Sequence, residues 1–95
     1  MNRSLLENYA EKIRKITRTH GAVGVRVFGS HAKGVGREAS DLDLLVDLED
    51  GRDLLDLVGI KQDLESLLGR KVDVLTEEAL SPYLREKIVQ EAIPL

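Results

Sequence analysis

Residues 29–46 read GSHAKGVGREASDLDLLV, and the organisation of the chain turns on this stretch. A Gly-Ser pair leads into a loop of small and charged residues. Two aspartates one residue apart then open an apolar run. Side chains two apart on a strand share a face and sit about 6.5 Å apart along it. Asp41 and Asp43 therefore project together, while Leu42 and Leu44 point the other way and anchor the strand. Carboxylates that close repel one another, and a divalent cation removes the conflict.

The flanking sequence supplies the surroundings. Leu5, Leu6, Tyr9, Ile13 and Ile16 recur at three- and four-residue steps and predict an amphipathic helix over 4–18, closed at His20-Gly21. AVGVRVF at 22–28 alternates, with Val23, Val25 and Val27 expected on one face of a first strand. Ser30 is placed to cap a short helix after that strand, broken at Gly34 and Gly36. Residues 41–47 form a second strand. Leu54, Leu57, Val58, Leu64, Leu67 and Leu68 mark a helix over 53–68, weakened at Gly59 and closed at Gly69. KVDVL at 71–75 is a third strand. Ser81-Pro82 opens a last helix with Leu84, Ile88 and Val89 expected to face inward. The predicted order is α-β-α-β-α-β-α, an α/β (α+β) unit with a small mixed sheet packed with helices, one domain over 1–95.

For the Gly-Ser turn to meet the aspartates, the first two strands must run antiparallel. The helix at 53–68 is long enough to be a crossover, so the second and third strands can run parallel. Asp73 would then lie near Asp41 and Asp43 as a third carboxylate at one edge. Oxygen donors without histidine or cysteine favour Mg²⁺ over zinc. Gly29 permits close backbone approach, and Ser30 with the free N–H groups of a helix start can receive phosphate oxygens. Three carboxylates and a phosphate cradle fit a two-metal arrangement for phosphoryl or nucleotidyl transfer.

Composition narrows the class. The 95 residues are 42 % hydrophobic and 33 % charged, with a net charge of −3. That balance suits a small globular domain and argues against a surface built mainly to grip nucleic acid. The chain has no cysteine, which excludes disulfides and thiolate metal sites and points to a reducing cytoplasm. No apolar run approaches membrane-spanning length, and the charged N-terminus is not that of a signal peptide. Lys12, Arg14, Lys15 and Arg18 read as the wet face of the first helix. Tyr9, Phe28 and Tyr83 read as core. Asp47, two pleats beyond Asp43, reads as solvated, and His20 as a helix-end residue rather than a catalyst.

Gly-Ser, then A-x-G, then S-D-x-D-L, with a later V-D-V strand, resembles the minimal nucleotidyltransferases (MNT) of the DNA polymerase β-like nucleotidyltransferase superfamily. The resemblance covers nearly the whole chain and implies that superfamily's fold. It implies transfer of a nucleoside monophosphate, usually AMP from ATP, to an acceptor hydroxyl. By the resemblance, Asp41 and Asp43 match the paired metal-binding aspartates and Asp73 the third carboxylate. Gly29 and Ser30 match the nucleotide-phosphate motif, with Lys33 and Ser40 as further nucleotide contacts and Mg²⁺, two ions, as cofactor. Relatives of this kind pair with HEPN-domain toxins and silence them by adenylylating a tyrosine, which implies an antitoxin here. His31 and Lys33 stand where the motif often carries arginine, and without that bidentate fork triphosphate binding is expected to be weaker. Arg37 in the loop is evenly placed between phosphate contact and plain surface. The C-terminal strip Ile88, Val89, Ala92, Ile93 and Leu95 is a docking surface or, more simply, packs on the chain's own sheet. Two other readings stay open: an antitoxin that masks its partner by contact alone, and an aminoglycoside-type enzyme acting on a free small molecule.

Overall fold

In the computed structural model, which describes residues 3–29, 32 and 41–95, the apolar alternation of the two central strands sets the architecture. Helix α1 (Arg3–Thr19) leads into β1 (Ala22–Phe28). Strand β2 (Leu42–Leu48), helix α2 (Leu54–Leu68) and strand β3 (Val72–Leu75) follow. A 3₁₀ turn (Glu77–Ala79), helix α3 (Pro82–Glu91) and a two-residue strand β4 (Ile93–Pro94) complete the chain. The sheet order is β3-β2-β1-β4, with β2 antiparallel to β1 and parallel to β3. The mixed sheet is as expected. The expected short helix after β1, with Ser30, Gly34 and Gly36, lies outside the described residues.

Even-numbered residues of β2 build the main core. Leu42, Leu44 and Val46 are fully buried and pack with Val25, Val27 and Val72 against Leu6 and Ile13 of α1 and Ile60 and Leu64 of α2. Register partners Arg26 and Leu45 lie on the opposite face. There the Arg26 guanidinium lies 3.0 Å from Glu77 Oε1 and 3.5 Å from Asp47 Oδ1. The 3₁₀ turn thus sits over that face, where Leu45 is also fully buried. Asp47 is therefore an ion-pair partner of Arg26 rather than simply solvated. Asp53 opens α2 with a capping box completed by Asp56, and Gly69 closes it. No helix among the described residues is long and apolar enough to cross a membrane.

Several expectations are corrected. The register shifts between Ala22 and Gly24, and this bulge takes Val23 off the core face, leaving it 67 % exposed. Tyr83 is 95 % exposed rather than core, and Leu84 is exposed rather than inward-facing, because both occupy the first turn of α3. Leu54 and Val58 are likewise exposed, and Ile60 and Leu64 carry the burial of α2. The C-terminal segment adds an edge strand: Ile93 and Pro94 pair with Val27 and Arg26, and the Leu95 amide donates to the Val25 carbonyl at 3.1 Å.

Two side-chain arrangements tie α2 to its neighbours. His20 Nε2, at the end of α1, lies 2.7 Å from Asp63 Oδ2, and its ring occupies the space beside Gly59. A Cβ there would lie 2.6 Å from His20 Cε1. The second arrangement covers the outer edge of β3. The Val72 amide donates to Glu65 Oε2 at 2.9 Å, and Lys61 Nζ donates to the Val72 carbonyl at 2.7 Å. Both backbone groups of Val72, at an otherwise open sheet edge, are thereby satisfied.

These contacts make two predictions. Glycine inside a helix costs about 1 kcal/mol relative to alanine, yet Gly59→Ala should give no such gain in the native chain, because the His20 ring must leave Asp63. In a His20→Ala background the same change should stabilise by about 1 kcal/mol. Urea unfolding of the four proteins decides; an equal gain in both backgrounds contradicts the packing described. The Val72 amide and then the Lys61 ammonium hold the Glu65 carboxyl below its ordinary value of 4.5. Its contribution is therefore complete above the unfolded pKa and lost as pH falls through the depressed folded value. Glu65→Gln should lower the melting temperature at neutral pH and converge on the native protein well below pH 4.5. A difference independent of pH would refute this.

Candidate active site

The antiparallel pairing brings the end of β1 beside the start of β2, and the parallel pairing brings the start of β3 to its other side. Asp43 accordingly has Phe28 as its register partner on one flank and Asp73 on the other. Asp41 is exposed immediately before β2 and shares the face of Asp43 by alternation. Leu42 and Leu44, fully buried behind them, hold both aspartates to the outer face. Burial of the apolar side thus orients the acidic one.

The turn after β1 fits closely against this strand. Gly29 has φ +76°, in the left-handed region that favours glycine, and a Cβ there would collide with Asp43 Oδ2. The backbone at Gly29 and the Asp43 carboxylate are therefore in direct apposition. Of the other residues read as nucleotide contacts, Ser30, Lys33 and Ser40 lie outside the described residues, as do His31 and Arg37.

Asp73 carries a neighbour that the sequence does not reveal. Its Oδ1 lies 3.9 Å from Lys61 Nζ, although Lys61 belongs to a helix on the other side of the sheet. The Leu42 amide donates to the Lys71 carbonyl, so the next residue, Val72, turns its N–H and C=O away from β2. Lys61 reaches that outer edge, bonds the Val72 carbonyl and pairs with Glu65 at 3.2 Å, which leaves its ammonium beside Asp73. An i,i+4 Lys-Glu pair reads in sequence as an ordinary exposed helix pair. Only the edge position of β3 brings it beside Asp73. Arg70, just before β3, has Nε and Nη1 buried without a hydrogen-bond partner among the described residues.

The donor set has the chemistry of a hard-cation site, with carboxylates of two adjacent strands on one face. It is not preassembled, since among the described residues no three acidic or histidine side chains are grouped closely enough to hold an ion. In kind, though not in grouping, these oxygen donors suit Mg²⁺.

Residues 10–95 match the nucleotidyltransferase domain model. The chain is 31 % identical to the protein adenylyltransferase MntA of Thermococcus cleftensis, over 95 % of this chain and 88 % of that protein. It superposes on a solved structure, provisionally named a minimal nucleotidyltransferase, with a TM-score of 0.89 and 52 % identity, covering 100 % of this chain and 97 % of the other. It also resembles a chain of a toxin–antitoxin crystal structure with AMP-PNP, with a TM-score of 0.75 and 27 % identity over 88 % of this chain and 69 % of that one. By fold and by sequence, the chain belongs to the nucleotidyltransferase domain family.

Proposed function

We propose that this protein is an Mg²⁺-dependent, cytoplasmic protein adenylyltransferase that acts as an antitoxin, moving AMP from ATP to a tyrosine hydroxyl of a HEPN-domain toxin. The observation that carries this reading is the apposition of Asp43 to the Gly29 backbone on one side and to Asp73 on the other. A phosphate at the turn and a cation at the carboxylates would then share one small volume. The name of the Thermococcus relative and the AMP-PNP in the toxin–antitoxin structure support the choice of nucleotide and partner.

In this reading Asp41 and Asp43 would hold both metal ions, and Asp73 would hold one of them. Bound Mg²⁺ supplies neutralising charge to the triphosphate and makes the acceptor hydroxyl more acidic. The acceptor oxygen forms its bond to the α-phosphorus as the bond to the β-phosphate oxygen breaks, and pyrophosphate leaves. Asp73 takes the hydroxyl proton in this reading. The Gly29 backbone, with Ser30, Lys33 and Ser40, holds the phosphates.

The test is intact-mass analysis after incubating the protein with ATP, Mg²⁺ and a HEPN-domain partner, sought first as the product of the adjacent gene. Whole AMP units should appear on the partner, and Asp41→Asn, Asp43→Asn and Asp73→Asn should each slow their appearance by about 100-fold or more. A complex that blocks the partner with no mass gain would replace catalysis with masking by contact. AMP on a free small molecule alone would replace the protein acceptor.

Gly29→Ala offers a finer check, because its Cβ must displace the Asp43 carboxylate. A misplacement of about 1 Å can cost on the order of 100-fold in rate. AMP transfer should therefore fall steeply while the circular dichroism spectrum is kept. Unchanged transfer would separate the turn from the site.

A further inference from the structure

We propose that Lys61 is the resident counter-cation of Asp73, offsetting its charge until a divalent ion takes over that role. This inference rests on the reading of Asp73 as a metal ligand. It differs from that reading in assigning a function to a residue on the opposite side of the sheet.

Asp73 and Asp43 are register partners on neighbouring strands, with Asp41 one pleat away on the same face. Such carboxylates repel one another when no cation is bound. Among the described residues, the ammonium recorded beside Asp73 is that of Lys61, 3.9 Å from Oδ1. It is fixed there by independent contacts: the Val72 carbonyl at 2.7 Å and Glu65 Oε2 at 3.2 Å. Glu65 is itself anchored on the Val72 amide at 2.9 Å. The ammonium is thus held by the sheet edge and does not depend on Asp73 for its position. Its distance from Asp73 is longer than a direct hydrogen bond. That arrangement supplies charge without occupying the carboxylate's lone pairs, which stay open to a metal. A fixed positive charge so placed also opposes the arriving cation. Lys61 therefore steadies the metal-free site and weakens metal binding to it.

The experiment measures Mn²⁺ affinity of the full chain without nucleotide, from the free-ion electron paramagnetic resonance signal. Melting temperatures in EDTA and in saturating Mn²⁺ accompany it. Lys61→Gln and Lys61→Met both remove the charge, and the first keeps a donor for Val72, so either folded variant suffices. Each should bind Mn²⁺ about three- to tenfold more tightly than the native chain, the change expected for a unit charge near a partly exposed site. Lys61→Arg should stay within about twofold of native, because it keeps the charge. The neutral variants should melt lower in EDTA and gain more from Mn²⁺ than the native chain does. In an Asp73→Asn background the effect of removing Lys61's charge on Mn²⁺ affinity should shrink, because the two act through one contact.

Unchanged or weaker Mn²⁺ binding in both neutral variants, beside normal binding by the native chain, would overturn this inference alone and leave Lys61 as an edge cap. An undiminished effect in the Asp73→Asn background would do the same. No Mn²⁺ bound by the native chain or by either neutral variant would overturn the metal reading of the site, and this inference with it.

Discussion

The site depends on the two-sided pairing of β2. That strand is bonded antiparallel to β1 and parallel to β3, with Leu42, Leu44 and Val46 fully buried on one face and Asp43 and Asp47 on the other, where Leu45 is covered as well. A slip of one residue in either pairing would turn Leu42, Leu44 and Val46 to solvent and drive Asp41 and Asp43 into the core. The transfer energy of three large apolar side chains, about 1.5–3 kcal/mol each, holds the register. The acidic face is therefore defined by hydrophobic burial behind it.

Gathering carboxylates on one face works against folding, and the structure contains offsets that do not consume the site. Asp43 lies against the backbone at Gly29, where the residue has no side chain of its own. The Lys61 ammonium stands beside Asp73, anchored mainly elsewhere. Further along the same face Asp47 pairs with Arg26, whose guanidinium also binds Glu77. Positive charge thus stands on the acidic face at two separate levels, Lys61 beside Asp73 and Arg26 beside Asp47.

What the sequence discloses and what it conceals divide along a physical line. Alternation, caps and turn glycines are local, so the bounds of β1, the close of α2 at Gly69 and the opening of α3 at Ser81-Pro82 were legible. So was the shared face of Asp41 and Asp43, which needs only the period of a strand. The bulge at Val23 was not, because it depends on how β1 meets Leu48 and Asp47 across the hairpin. Nor was β4, whose two residues have meaning only beside Arg26 and Val27. Tyr83 and Leu84 show the same limit: their apolar character suggests burial, but α3 turns that part of its surface outward. Lys61 was hidden for the strongest reason. Its contact with Asp73 requires a helix on one face, an edge strand and a long side chain rounding that edge.

That edge also explains why Asp73, and not a neighbour, shares the face of Asp43. Strand β3 is only four residues long and, among the described residues, pairs with β2 alone. Its hydrophobic alternation is weak, since Val72 alone is fully buried. Burial by itself would define its register less firmly than that of β2. The Lys61–Glu65 pair adds a second constraint by bonding both the amide and the carbonyl of Val72. With Val72 fixed from outside by α2 and from inside by its pairing with Leu42, the next residue must face the opposite side. Asp73 is directed to Asp43 by two hydrogen bonds that neither carboxylate makes. The crossover helix thus links two strands and also sets the rotation of the second one.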